Sequence, residues 1–326
     1  MIPTFRCGHS GLVLPAISLG LWHTFGNTTN YSTQRDIILK SFDMGIFHFD
    51  NANCYGPPDG EAEITLGRIL KNDLSAHRDK IVVATKAGAP LGDAVYMSGG
   101  SRKHLFSQID KSLRRLKLDY VDIFYHHRPD PDTDIEETAE ALIDIINNGK
   151  ALYIGLSNYS ATELESMISI LKTKGKRCVI AQYKFSMLHL DYINTGIMEV
   201  IQNNNVGSIA YSVLAQGILT GKYINGIPSD SRIVTDGRYI KTEDLTLGVK
   251  KKVQELEKIA KRRGQSLTQM ALVWAKYTGK FSSILIGVSQ PNQIEENLNA
   301  LEKMDFSTSE INNIMRILNQ EKEIRE

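Results

Sequence analysis

Asp50, Tyr55, Lys86 and the pair His126-His127 are the residues whose types and placement can move a proton onto a carbonyl oxygen. Each lies at or just past the end of a short apolar run. Asp50 closes 46–50, with Tyr55 five residues on in Asp50-Asn51-Ala52-Asn53-Cys54-Tyr55-Gly56; Lys86 closes 81–86, and His126-His127-Arg128 closes 121–126. Ser157-Asn158, Gln182 and Tyr211-Ser212 follow three further runs in the same way. Reducing a carbonyl needs a donor for the oxygen that becomes an alkoxide as hydride arrives. A free tyrosine, with a pKa of about 10, is a reluctant acid near neutrality. A neighbouring ammonium stabilises the phenolate, and a carboxylate holds that ammonium charged and in place. A histidine can orient the carbonyl oxygen or share in proton delivery. Positioned acid catalysis of this kind is worth about 10²–10⁴ in rate. A lone lysine after a strand is usually a solvated surface residue. Six polar groups delivered to one rim favour a functional reading.

The elements that must carry these residues repeat one pattern. A short hairpin is predicted from Phe5-Arg6-Cys7 through Gly8–Gly11 to Leu12-Val13-Leu14. Strands are predicted at 16–20, 46–50, 81–86, 121–126, 151–156, 178–182, 207–212 and 282–286. Helices are predicted near 32–44, 60–71, 101–116, 134–148, 160–174, 193–204, 249–278 and 291–302. Ser101 precedes Leu105, Ile109 and Leu113 at helical spacing, and Gly45, Gly149 and Gly175 stand where helix C-caps belong. Runs such as Ile81-Val82-Val83-Ala84 are apolar on both faces, as strands buried in a parallel sheet must be. Strict β–α alternation implies right-handed parallel crossovers. Eight units point to an α/β fold of the (β/α)₈ TIM barrel type, one domain over 1–326, with the N-terminal β-hairpin and a long loop after strand 7. A doubly wound sheet would announce itself by Gly-x-Gly-x-x-Gly after its first strand; here Leu19-Gly20-Leu21-Trp22-His23 stands there, and no phosphate-binding Gly-x-x-x-x-Gly-Lys-Ser/Thr loop occurs.

Of the 326 residues, 42% are hydrophobic and 23% charged, enough for a sizeable core. Lys and Arg number 38 against 37 Asp and Glu, which gives no reason to expect nucleic acid or an anionic membrane as partner. Cys7, Cys54 and Cys178 are few, odd in number and far apart, which fits a reducing compartment. With no signal pattern at the N-terminus and no run of eighteen apolar residues, the expectation is a cytoplasmic protein without membrane insertion. Adjacent histidines on a strand face opposite ways, so no metal site is expected at His126-His127. Cys54 has two readings: a thiol activated by Lys86, or a small residue filling a tight loop. Trp274, inside an apolar helical run, reads as packing, and the charged tail 321–326 as a solvated helix end.

In order and context, Asp50, Tyr55, Lys86 and His127 resemble the catalytic tetrad of the aldo-keto reductase superfamily. The similarity runs from Ser18-Leu19-Gly20-Leu21-Trp22 to Glu296-Asn297. Gly56-Pro57-Pro58, Ser98-Gly99-Gly100-Ser101-Arg102-Lys103, Val121-Asp122-Ile123-Phe124-Tyr125 and the segment Leu219–Pro228 resemble the branch that holds bacterial L-glyceraldehyde 3-phosphate reductases and the β subunits of voltage-gated potassium channels. The resemblance implies Tyr55 as general acid, Lys86 lowering its pKa, Asp50 anchoring Lys86 and His127 orienting the carbonyl. It implies NADP(H) as cofactor. Ser157, Asn158 and Gln182 would hold the nicotinamide carboxamide, Tyr211 would stack on the ring, and Trp22 would lie alongside. Ser212, Leu214, Gln216, Gly217, Leu219, Lys222 and Arg232 would fold over the pyrophosphate. Gly287, Ser289, Gln293, Glu296 and Asn297 would meet the adenosine, where a helix N-terminus suits phosphate. Gln290 and Gln293 are neutral where relatives carry basic residues near the 2′-phosphate, so NAD(H) use stays open. In the nearest relatives a serine precedes the catalytic histidine. Here His126 does, and His127 is preferred because it immediately precedes Arg128.

The implied substrate is a small aldehyde, such as glyceraldehyde 3-phosphate or methylglyoxal. Trp22 and His23 are expected to line its pocket. Arg102, Lys103 and Arg128 form a phosphate clamp in one reading and ordinary surface charge in the other. A tetramer or larger homo-oligomer is implied by relatives. The alternative function is a nucleotide-binding, redox-sensing accessory subunit of a partner protein. The presence of the whole tetrad favours the enzyme.

Overall fold

A computed structural model describes residues 2–229 and 231–319. The charged tail 321–326 lies outside them. Strands β1 (Thr4–Arg6) and β2 (Val13–Pro15) form the antiparallel hairpin, with Phe5 opposite Leu14. Eight parallel strands then close a barrel: β3 (Ile17–Gly20), β4 (His48–Asp50), β5 (Val82–Ala87), β6 (Val121–His126), β7 (Ala151–Ser157), β8 (Cys178–Lys184), β9 (Gly207–Tyr211) and β10 (Ser283–Ile286). Ile284 of β10 pairs with Ile17 of β3 and completes the ring. The architecture is the (β/α)₈ barrel that the eight-fold alternation implies.

The connecting helices are α1 (Tyr31–Asp43), α2 (Glu61–Asn72), α3 (Arg102–Leu116), α4 (Ile135–Asn147), α5 (Ala161–Thr173), α6 (Asp191–Asn194), α7 (Ile197–Asn203), α8 (Arg232–Thr235), α9 (Leu247–Arg262), α10 (Leu267–Thr278), α11 (Asn292–Leu298) and α12 (Thr308–Leu318). Ser101 caps α3 by accepting from the His104 N–H at 3.3 Å. Gly45, Gly149 and Gly175 all adopt the left-handed φ that a helix C-cap needs. The span 249–278, read as one helix, is two. Gly264 turns at φ +70°, and Ser266 opens α10 with a capping box in which Gln269 reaches back to the Ser266 N–H at 3.0 Å. Likewise 193–204 is divided between α6 and α7 by Gly196 at φ +81°. Helix α12 was not anticipated, although Ser307 and Glu310 form a second capping box at its start.

The hairpin closes the N-terminal end of the barrel. Its Cys7, Leu12 and Leu14 pack among Ala84, Ile123, Tyr125, Ile180, Ile209 and Leu285, which point inward from five strands. Cys7 lies so close to Gly207 that a Cβ there would come within 2.5 Å of it. Outward-facing residues join the layer of helices, where Trp274 is fully buried and stacks on Phe185 at 5.5 Å. The opposite, C-terminal end of the strands is left for chemistry.

Two buried histidines tie the core to pH. His48 Nδ1 meets Ser18 Oγ at 2.9 Å and His126 Nδ1 meets Tyr159 Oη at 2.6 Å. Burial lowers both to about 4. The unfolded chain takes up protons at these groups near pH 6.5, whereas the native state refuses them until about pH 4. Their contribution to stability is therefore complete above about pH 6.5 and lost as pH falls towards 4, at about 1.4 kcal/mol per pH unit for each group. Urea unfolding across this window should show the loss, and His126→Gln should flatten it by about one group's worth. A slope unchanged in the variant would place the protonation elsewhere.

Candidate active site

The tetrad is assembled by neighbouring strands. Asp50 is the last residue of β4 and pairs in register with Ala84 of β5, two residues before Lys86. The Lys86 side chain is wholly buried, and its Nζ lies 2.5 Å from Asp50 Oδ2, 2.8 Å from the Asn51 carbonyl and 3.4 Å from Tyr55 Oη. The other Asp50 oxygen accepts from Gln182 Nε2 at 3.1 Å. Tyr55 is brought over the lysine by the tight loop after β4, where the Asn53 N–H bonds the Lys86 carbonyl at 3.0 Å and the Gly60 N–H bonds the Tyr55 carbonyl at 3.0 Å. His127 follows β6, its N–H bonded to the Ala87 carbonyl at 2.8 Å, and its ring stands edge-on to Tyr55 with centroids 6.0 Å apart. His126 points the other way, to Tyr159. Strand alternation separates the two rings, and His127 is the one beside Tyr55.

Electrostatics at the site are set first by burial. Burial pushes Lys86 below its ordinary value, while the adjacent Asp50 charge pulls it back up. Burial pushes the Tyr55 hydroxyl well above its ordinary value, and the Asp50 charge adds to this. The phenol is therefore protonated at neutral pH, loaded as a donor; the direction is opposite to the lowering that proximity to Lys86 alone suggests. His127 is held well below its usual range by burial and then by the charges of Lys86, Arg128 and His126, so its imidazole is neutral. Cys54 Sγ lies 3.9 Å from His127 Nδ1, but burial pushes the thiol up to about 11 against the pull of Lys86. Of the two readings of Cys54, burial favours the small residue filling a tight loop over the activated thiol.

The polar residues after β7, β8 and β9 join this cluster. Ser157 Oγ donates to the Gln182 carbonyl at 3.0 Å. Asn158, at φ +62°, donates to the His127 carbonyl and to Ser157 Oγ, both at 3.0 Å, and accepts from Tyr211 Oη at 2.8 Å. Beyond Tyr211 the chain turns tightly through Ser212, Leu214, Gln216, Gly217 and Leu219, with Ser212, Ala215 and Gln216 at positive φ. Arg232 Nη1 donates to Gln216 Oε1 at 2.8 Å, and its guanidinium lies 5.7 Å over Trp22. Lys222 approaches Gly217 so closely that a Cβ there would stand 3.2 Å from its Nζ.

After β10, nothing lies within 4 Å of where a Cβ on Gly287 would stand, so the backbone is open to a ligand. Gln293 Oε1 accepts from the Ser289 N–H at 2.8 Å and from Ser289 Oγ and the Gln290 N–H at 3.3 Å. The donors of the turn that leads into the short α11 are thus already used by the chain itself. Glu296 is exposed and Asn297 buried. Hydroxyl and amide groups at Ser157, Asn158 and Gln182, an aromatic ring at Tyr211 and open backbone at Gly287 fit a dinucleotide with a carboxamide-bearing ring.

A cavity of about 330 Å³ lined by Trp22, His23, Cys54, the turn Gly56–Asp59, Arg238 and Tyr239 opens at the loop that carries Tyr55. Trp22 meets Tyr239 edge-on at 4.6 Å, and His23 Nε2 bonds Asp236. The three residues of the proposed phosphate clamp have partners of different kinds. Arg102 Nη2 is held by Asp144 of α4 at 2.6 Å, Lys103 lies over the Tyr96 ring at 4.1 Å, and only Arg128, exposed, acts on His127 and Tyr211. Arg238, Asp236 and Tyr239 were missed in the sequence, since they sit in a long polar loop with no periodic pattern.

A phenol held against a buried ion pair, next to a cluster of amide and hydroxyl side chains, fits an oxidoreductase acting on carbonyls. The chain belongs to the aldo/keto reductase family, whose model matches residues 16–319. It is 46% identical over 308 residues to "L-glyceraldehyde 3-phosphate reductase" of Escherichia coli K12, covering 94% of this chain and 89% of that protein. It is 35% identical over 309 residues to a "Probable voltage-gated potassium channel subunit beta" of Oryza sativa subsp. japonica, covering 93% and 92%.

Proposed function

We propose that this protein reduces small aldehydes, phosphorylated ones among them, to alcohols using NADPH, with Tyr55 as the general acid. The observation that carries the reading is the buried chain from Asp50 through Lys86 Nζ to Tyr55 Oη, with steps of 2.5 and 3.4 Å. The nicotinamide, when bound, supplies the hydride. Ser157, Asn158 and Gln182 would hold its carboxamide, Tyr211 and Trp22 its faces, and the 212–232 segment with Lys222 and Arg232 its pyrophosphate. Neutral His127 donates a hydrogen bond to the carbonyl oxygen, which fixes the aldehyde and draws charge to that atom. Tyr55 Oη then gives its proton to the same oxygen, and the Lys86 ammonium stabilises the phenolate left behind. Asp50 keeps the ammonium charged and, with Gln182, fixes its position.

The test is loss of reduced-nicotinamide absorbance with a panel of aldehydes including glyceraldehyde 3-phosphate and methylglyoxal, NADH run beside NADPH. Saturable turnover is expected, with NADPH preferred because Lys222 and Arg232 supply cations, and NADH accepted because Gln290 and Gln293 would be neutral amides at the adenosine end. Tight NADPH binding without turnover on any aldehyde would overturn the reading in favour of a redox-sensing subunit.

A further inference from the structure

The loop after β9 carries a cation into the cavity lined by Trp22, Cys54 and Gly56. Arg238 lines that cavity, and its side chain is 55% exposed. Its anchor is Asp236, only 11% exposed, which accepts from Arg238 Nε through Oδ1 and meets His23 Nε2 through Oδ2. Both carboxylate oxygens are engaged, so the guanidinium is fixed in place from its Nε side. Its terminal nitrogens have no hydrogen bond among the described residues. A guanidinium held in this way is oriented without being used up, because its two terminal amines form the fork that grips an oxyanion bidentately. Arg102 is the opposite case: its Nη2 is the atom bound to Asp144.

We propose that Arg238 is the subsite for the anionic end of the substrate, and that the preferred class is the small aldehyde bearing a phosphate. The inference rests on the carbonyl-reductase reading of the same site. The cavity's lining includes Cys54 and Gly56, the neighbours of Tyr55 in the chain, and Arg238, so a substrate that enters it with its carbonyl towards Tyr55 would set its far end against the guanidinium. Besides its anchor Asp236, one further charge opposes it. Asp59 stands exposed on the same lip, and its field reaches Arg238. The two residues should therefore act on a phosphorylated substrate with opposite signs.

The experiment compares kcat/KM for glyceraldehyde 3-phosphate and for glyceraldehyde in wild type, Arg238→Met and Asp59→Asn. A hydrogen-bonded contact between charged groups is worth about ten- to a hundredfold, so the ratio should fall by that factor in Arg238→Met. It should rise by about two- to fivefold in Asp59→Asn, a gain that damage to the loop could not produce. Binding is read without turnover by titrating the protein with glycerol 3-phosphate and following the fluorescence of Trp22, which lines the cavity while Trp274 is buried. Arg238→Met should raise the dissociation constant by about the same factor as the ratio falls. An unchanged ratio and an unchanged dissociation constant in Arg238→Met would overturn the subsite. Binding of glycerol 3-phosphate that depends on Arg238, in a protein that reduces no aldehyde, would uphold the subsite and refute the reductase.

Discussion

Tyr55→Phe is expected to slow reduction of every accepted aldehyde by about 10²–10⁴ and to leave NADPH affinity unchanged. The substitution removes one oxygen and keeps the ring. Lys86 retains its bonds to Asp50 and to the Asn51 carbonyl, so the ammonium stays where it is. Ser157, Asn158, Gln182 and Tyr211 are bonded to one another and to Asp50 and His127, not to the Tyr55 hydroxyl, so the proposed cofactor recess has no reason to move. Single-turnover rates and NADPH fluorescence titration separate the two effects. A parallel loss of binding and rate would make Tyr55 a wall of the cofactor site rather than the acid.

Lys86→Met should damage two properties at once. Without the ammonium the phenolate has no cation beside it, and the rate should fall at least as far as in Tyr55→Phe. The variant also leaves Asp50, 1% exposed, as a buried carboxylate with only the Gln182 amide for a partner. Breaking one side of a buried ion pair costs about 3–5 kcal/mol, whereas replacing both charges is close to neutral. Asp50→Asn/Lys86→Met should therefore recover most of the lost stability in urea unfolding and none of the lost activity. Recovery of turnover in the double variant would show that the charge at position 86 is not what drives the proton.

Much of this architecture can be read from residue order. Buried parallel strands are unbroken apolar runs, and Asp50, Lys86 and His127 each end or follow one, so the barrel places them together almost unaided. The same logic left His126 and His127 on opposite faces without saying which was inside; Tyr159, 33 residues beyond His126, decides it. The break at Gly264 carried ordinary cap signals that a continuous helical period obscured, and the capping box at Ser307 lay beyond the last helix read, which ended at 302. What the sequence conceals is partnership across the fold. Arg102 seems available until Asp144 is seen to hold it, and Arg238 seems ordinary until Asp236 and His23 bring it to the cavity. Titration is hidden for the same reason: Lys86 is visible beside Tyr55, but the burial that outweighs it is a property of everything packed around the ring.

The hairpin at the base of the barrel also has a meaning for biosynthesis. Gly8 sits against the Asn205 carbonyl, Ser282 Oγ donates to the Arg6 carbonyl, and the Ile284 N–H bonds the Ala16 carbonyl. These partners emerge from the ribosome roughly two hundred to two hundred and eighty residues after the hairpin itself, a delay on the order of tens of seconds at ordinary translation speeds. Until then Leu12 and Leu14 lack Ile209 and Leu285, which complete the layer around them. The hairpin is thus made long before it is fully seated, and a nascent chain arrested before β10 would present part of that apolar edge to whatever chaperone attends it.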